Sequence, residues 1–306
     1  MRTPTGGKKF MVTQILLNSI VSALLLAMVA IGFNLIFNAT KTFHLAHGAM
    51  YVTAVYATFA FRYLFAQLVP NVLANAMSIV LSIVLISLLI VAVEYLVYRP
   101  LFIKKVNPTI SMISSLGVYF LIVSVIAFFF GNESIVLNNS YAIVISNNYF
   151  KLTNLEILHL VTASFLLTLV LIFSKTRYYT NIRAVTDSYS VAEKFGINVQ
   201  HTRLLALVVG TILVGAAGLL RSYEIAIDPN VGLTITLAAA VAVIVGGVNS
   251  LHGTIVACFI LALIENFSVK VLASQWKDML TYTLLIGVLI FYQRGLVSVK
   301  RRVEAR

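Results

Sequence analysis

The sequence predicts an all-α integral membrane protein, and three observations carry that prediction. Hydrophobic residues make up 60% of the 306 positions and charged residues only 10%. A soluble domain holds about a quarter charged residues, because its surface must face water. Long apolar runs recur along the whole chain, and a helix needs about 20 such residues to cross a bilayer. None of the runs shows the dyad alternation of a membrane barrel, so helix is the form that pairs every backbone group in lipid. The length allows roughly eight or nine spans. With no linker or low-complexity stretch, 1–306 reads as a single transmembrane domain.

The apolar stretches fall at about 13–37, 43–69, 72–98, 109–130, 154–174, 204–221, 233–247, 253–272 and 278–293. The run after Lys8 and Lys9 is long enough to span and no small-x-small cleavage site follows, so no removable leader is expected. The net charge of +12 lies in loops rather than in a stripe interleaved with aromatics, which argues against nucleic acid. Sixteen of the 22 basic residues occupy four segments. These are the amino tail (Arg2, Lys8, Lys9), the loop with Arg99, Lys104 and Lys105, the loop at 175–203, and the carboxyl tail from Arg294. The positive-inside bias places all four, including both tails, in the cytoplasm. The loops near 131–153 and 222–232, with Glu133, Glu224 and Asp228, then face outward.

Three apolar stretches lie between the amino tail and Arg99, and an even number of crossings is needed if both are inside. One stretch is therefore expected to be re-entrant or broken. The second is the candidate, because it opens with the polar run Asn38-Ala39-Thr40-Lys41-Thr42-Phe43-His44-Leu45-Ala46-His47-Gly48. Irregular backbone at that depth is tolerated only inside protein or beside a water-filled cavity. The expected count is about eight spans plus one re-entrant or broken segment. A similar interruption, Gly246-Gly247-Val248-Asn249-Ser250-Leu251-His252-Gly253, also ends in His-Gly. Paired broken segments in two halves of a chain point to a transport site at their interface.

In the 175–203 loop, Ser190-Val191-Ala192-Glu193 has capping-box spacing. Val191 and Phe195 are four apart and share a face with Ala192 beside it. Gly196 supplies the left-handed stop before Ile197. The segment is either an ordinary capped loop helix or a docking element whose apolar face seats on a membrane surface or a partner.

Candidates for a translocation pathway are Asn34, Asn38, His44, His47, Gly48, Gly246, Gly247, Asn249 and Glu265. Each has a structural reading beside it. Asparagines tie helices together, histidines satisfy the free backbone groups of a broken helix, and glycines such as Gly210, Gly215 and Gly218 let helices approach closely. Glu94, near the end of the third stretch, is an interfacial anchor or a pathway group. Cys258 reads as a small buried hydrophobe. No further ligands stand at metal spacing. No Gly-x-x-x-x-Gly-Lys-Ser/Thr loop cradles a nucleotide, and no nucleophile, base and orienter set suggests an enzyme.

Several runs, in order, carry a resemblance. They are Phe43-His44-Leu45-Ala46-His47-Gly48-Ala49-Met50-Tyr51, Tyr98-Arg99-Pro100-Leu101 and Ala192-Glu193-Lys194-Phe195-Gly196-Ile197-Asn198. Gly246-Gly247 with Ser250 and Gly253, Glu265, and Lys277-Asp278 follow. From about 11 to 297 the chain resembles the permeases of bacterial branched-chain amino-acid ABC importers, particularly the first of the two paralogous permeases. The resemblance implies an ABC importer permease fold in the bacterial inner membrane. It implies that 175–203 holds a coupling helix, Ser190 to Ile197, seated on cytoplasmic ATPase subunits that bind ATP and Mg. It implies a periplasmic substrate-binding protein and a second paralogous permease, with no cofactor on this chain. Ala49 stands where the family often has an acidic residue, His252 where it has Pro, and Gln293-Arg294-Gly295 where it has Pro-Thr-Gly. Urea and short-amide permeases share much of the pattern. An ion-coupled secondary transporter using Glu94, Glu265 or the histidines is the alternative from another class.

Overall fold

A computed structural model describes residues 5–137, 143–146 and 150–268, the backbone only for 5–9, together with the isolated positions 279, 283, 286 and 287. Most of the last apolar stretch, with Lys277-Asp278, Gln293-Arg294-Gly295 and the carboxyl-tail basic cluster, lies outside the described residues, as does Arg2.

Eleven helices and one hairpin make up the described chain. In order they are α1 (Thr5–Thr40), α2 (His47–Phe65), α3 (Asn71–Val93), α4 (Arg99–Ile103) and α5 (Pro108–Phe130), then the antiparallel pair β1 (Ile143–Ser146) and β2 (Lys151–Thr153). They continue with α6 (Asn154–Phe173), α7 (Arg177–Asp187), α8 (Tyr189–Lys194), α9 (Val199–Ser222), α10 (Val231–Gly246) and α11 (Leu251–Ser268). A π-helical turn, Glu94–Tyr98, joins α3 to α4 without a break in helical backbone. Local sequence sets the ends. Asn107 caps α5 ahead of Pro108, and Thr153 with Glu156 forms a reciprocal capping box on α6.

Six helices are long and apolar enough to cross a membrane among the described residues: α1, α3 with its extension to Ile103, α5, α6, α9 and α11. The 16 residues of α10 and the 19 of α2, which carries His47 and Arg62, complete the bundle. Their burial differs in a way that orders the fold. The most apolar stretch of α1 is 72% buried and that of α9 61%, against 28% for α3 and α6. So α1 and α9 form the protein-lined centre, while α3, α5 and α6 present residues such as Phe128, Phe129, Leu88 and Val161 outward.

Glycines decide the spacing at the centre. A Cβ on Gly48 of α2 would lie 2.1 Å from the Gly232 carbonyl of α10, and one on Gly232 would lie 2.3 Å from that of Gly48. Gly32 of α1 and Gly210 of α9 stand in the same relation at 2.7 Å. Lipid tails are as apolar as leucine, so backbone-to-backbone packing of this kind is what holds membrane helices together.

The chain between α1 and α2 is irregular, as the polar run 38–48 suggests, and it turns back into the bundle. The His47 ring meets the Val29 carbonyl at 3.1 Å. Val29 lies eleven residues before the end of α1, roughly 16 Å along its axis. Ser115 of α5 matches the irregular backbone, accepting from Leu45 N–H and donating to the Phe43 carbonyl, both at 3.1 Å. From there α2 continues to the hairpin end, where the Tyr56 hydroxyl donates to the carbonyls of Glu133 and Ile227. It is broken at its entry and does not return.

One expectation is corrected. Gln14 of α1 exchanges hydrogen bonds with the Lys151 backbone of the hairpin. At the other end, the Asn38 carbonyl accepts from Thr186 of α7. The start of α1 and the 175–203 loop therefore lie at opposite ends of the bundle, and parity no longer requires a segment that leaves by its entry side. The physical reason is that the positive-inside bias is a statistical preference of loop charges, which does not fix two segments to the same end of a bundle.

The glycine crossings give the first prediction. Gly48→Ala will lower the thermal midpoint of the detergent-solubilised protein, because backbone must move on both helices. Gly117→Ala, where a Cβ meets nothing within 4 Å, will leave it unchanged or raise it by up to about 1 kcal/mol of stability.

Candidate translocation and docking sites

The predicted docking segment is helical, with one change of register. Ser188, not Ser190, caps α8, its hydroxyl accepting from Val191 N–H at 3.4 Å, and Ser190 Oγ lies 3.2 Å from Ser188 Oγ. The Ser190–Glu193 capping box does not form, because Ser190 is already inside the first turn. Gly196 is left-handed (φ 76°), as expected, with open space around it, so its backbone and not its size requires glycine. Ala192 is buried with Val185 and Val199, and Ile197 packs on that cluster. Val191 and Phe195 point away from it; Phe195 is 81% exposed. Glu193 is also exposed. A six-residue helix thus has one face built into the protein and a second apolar face turned outward.

The buried face is fastened to the bundle. Besides Thr186 on Asn38, the Tyr189 hydroxyl donates to the Ala39 carbonyl at 3.4 Å, and burial pushes its phenol up to about 12 against the opposing field of Arg203. Tyr189 stands edge-on to Phe102 of α4 (5.3 Å), and the Arg203 guanidinium of α9 lies 4.0 Å above the Phe102 ring. Arg203 Nη2 in turn meets Glu94 Oε1 of the π turn at 3.4 Å, with both side chains buried. Sequence reading weighed Glu94 as an anchor near Arg99. Its partner is Arg203, more than a hundred positions away, and no local pattern pairs the two.

The nine pathway candidates separate into distinct places. Asn34 and Asn38 both donate to the Val248 carbonyl, at 2.8 and 2.9 Å, and so fasten the α10–α11 turn that Gly247 opens at φ 93°. Gly246 approaches the Gly253 backbone across that turn. Asn38 and Asn249 line a small inner cavity of about 100 Å³ with Arg183 and Asp187. Gly48 lies at the α2–α10 crossing, and the His47 ring of α2 meets the Val29 carbonyl of α1. His44 lines a separate inner cavity beneath α8. Glu265 alone among the nine lines a cavity of about 250 Å³ in the hairpin-side half between α1, α2, α9, α10 and α11. Leu25, Val29 and Ile235 supply apolar wall, and Arg221 and Tyr51 polar groups. Arg221 also pairs with Glu224 at 2.6 Å. Sequence reading missed Arg221, whose signal was a lone cation at the end of an apolar span.

Apolar helices around a glycine-packed centre, chambers toward both ends and a capped helix offered outward define a multi-pass membrane permease. The chain belongs to the family described as "Branched-chain amino acid transport system / permease component", whose model matches residues 15–289. It is 25% identical over 284 residues to the "High-affinity branched-chain amino acid transport system permease protein LivH" of Escherichia coli, covering 89% of this chain and 91% of that one. It is 26% identical to BraD of Pseudomonas aeruginosa, a protein of the same description, with 93% and 95% covered. A probable LivH of Methanocaldococcus jannaschii is 27% identical, with 93% and 90% covered. A solved chain, "PsaBC from Streptococcus pneumoniae in complex with Fab", superposes with a TM-score of 0.45 and 12% identity over 90% of each chain.

The buried ion pair gives the second prediction. Glu94→Ala will destabilise the solubilised protein by about 3–5 kcal/mol, because it strands a buried guanidinium. Pairing Glu94→Leu with Arg203→Met will recover most of that loss in thermal unfolding.

Proposed function

We propose that the chain is the permease subunit of an ATP-driven importer for branched-chain amino acids in a bacterial inner membrane. Cytoplasmic ATPase subunits dock on α8, a second paralogous permease completes the pathway, and a binding protein delivers substrate at the hairpin end. The exposed Phe195 and Val191 on a helix whose other face is locked to the bundle carry this reading. A short helix held rigidly at its base transmits force, and an unpaired aromatic is the kind of anchor that dominates an interface. The large cavity supports the substrate class. Mostly apolar walls with one guanidinium and one carboxylate suit a zwitterion with an apolar side chain, whereas urea or a short amide carries no charges for them to meet. ATP supplies the energy by binding unequally to two states of the partner, since a ligand shifts an equilibrium only by its difference in affinity.

Reconstitution of the chain with candidate ATPase, second permease and binding protein tests the reading through leucine-stimulated ATP hydrolysis. Replacing both Val191 and Phe195 by Ser will weaken ATPase association by about 2 kcal/mol or more, roughly 30-fold, and leave the thermal midpoint of the permease alone unchanged. Stimulation that survives the double replacement would remove α8 as the docking element. Uptake that needs no ATPase but collapses with an ion gradient would identify a secondary transporter instead.

A further inference from the structure

At the α8 end of the bundle a cavity of about 220 Å³ opens between the π turn and the first turns of α9. Glu94, Tyr95 and Arg99 line one wall, and Gln200 and His201 the other. Glu94 is 5% exposed and meets Arg203 through Oε1. Its other oxygen, Oε2, is buried and has no hydrogen-bond partner in the protein. Buried polar atoms are as a rule matched, so this wall is short of a donor.

The same wall carries a cation. The Arg99 guanidinium stands 5.2 Å from the centroid of the Tyr95 ring. It acts on the Glu94 charge but forms no ion pair among the described residues. Opposite, the Asn198 side chain takes the N–H of His201, and the N–H groups of Val199 and Gln200 open α9 with no partner inside the helix. A helix start of this kind favours an anion. One cavity therefore offers a carboxylate oxygen to a donor and, a short way off, a guanidinium and a helix start to an acceptor.

The outer face of α3 leads to it. Leu81, Leu85 and Leu88 are 38%, 40% and 63% exposed, and their spacing of four and three puts them on one side of the helix. Tyr95, seven residues beyond Leu88, is 50% exposed. Leucines turned outward on a span meet acyl chains, and a half-exposed tyrosine at the end of the span marks headgroup level. A lipid whose chains follow this stripe brings its headgroup to the cavity.

The chemistry selects the headgroup. A phosphodiester supplies acceptors for Arg99 and the start of α9, and a primary ammonium supplies the donor that Glu94 Oε2 lacks, both through charge-assisted bonds. A choline headgroup carries the same charges but no N–H, and a glycerol headgroup has hydroxyls and no cation. We propose that this cavity binds the headgroup of phosphatidylethanolamine, with the ammonium on Glu94 and the phosphate toward Arg99. The bound lipid ties the π turn to the start of α9, whichever solute the permease carries.

The test titrates the full chain in maltoside micelles with dioleoyl phosphatidylethanolamine, and separately with the phosphatidylcholine and phosphatidylglycerol of the same chains. Adducts in native mass spectrometry and the thermal midpoint are the readouts, and neither involves transport. The ethanolamine lipid will be held as a single adduct about tenfold more tightly than the choline lipid and will raise the midpoint saturably. N-methylated and N,N-dimethylated ethanolamine lipids, which keep an N–H, will bind more tightly than the choline lipid. Arg99→Gln, checked to unfold like the parent without added lipid, will weaken the ethanolamine lipid about tenfold. Glu94→Leu with Arg203→Met will hold the ethanolamine and choline lipids alike. Equal retention of those two lipids by the parent, tighter binding of the glycerol lipid, or parental affinity in Arg99→Gln overturns the proposal.

Discussion

Everything in this bundle is arranged around places where one helix backbone touches another. At Gly48 and Gly232, and again at Gly32 and Gly210, no side chain separates the helices. Because lipid gives apolar side chains no reason to leave it, such contacts replace the hydrophobic drive of a soluble core. They bring α1, α2, α9 and α10 together and leave α3, α5 and α6 on the outside. They also decide where space remains. The cavity of about 250 Å³ lies on the hairpin side of those crossings, and the cavity beneath α8 lies at the other end.

A tight centre makes irregular backbone affordable beside it. The 41–46 chain and the 247–250 turn would be costly in lipid, where each unmatched peptide group loses its hydrogen bond. Here Ser115 serves the first and the Asn34–Asn38 pair the second. From α8 inward the contacts are continuous. Tyr189 meets Phe102, Phe102 meets Arg203, and Arg203 meets Glu94 in the π turn. Tyr98 of the same turn stands edge-on to His44, and His44 to His47, which reaches α1. A π turn inside a long helix is a feature found frequently at functional sites, and here it lies between α8 and the entry of α2.

Much of this was legible in the residues, for reasons that are local. His-Gly after a polar run announced the broken entry of α2, and Gly196 after an apolar pair announced the end of α8. The cap was misplaced because Ser188 and Ser190 stand two residues apart at the start of the helix, and the Glu193 that matches Ser190 was the stronger pattern. The orientation of α1 was misread because tail charge is a bias and carries no geometry. Long-range pairings left no trace: nothing in an apolar span marks Ser115 as the partner of residues 43 and 45, or Arg203 as the partner of Glu94. Folding distributes the pathway candidates over several places in the bundle, a placement that no local pattern in the sequence carries.

The most direct measurement places a single cysteine at position 195. Its background is low, because Cys258 is fully buried. In inverted membrane vesicles stripped of peripheral protein, a membrane-impermeant maleimide will label that cysteine, and added ATPase subunits will protect it. In intact cells the same reagent will leave it unlabelled. Labelling from outside intact cells, or labelling unaffected by the ATPase, would contradict the account of α8 as the element through which a cytoplasmic partner drives this permease.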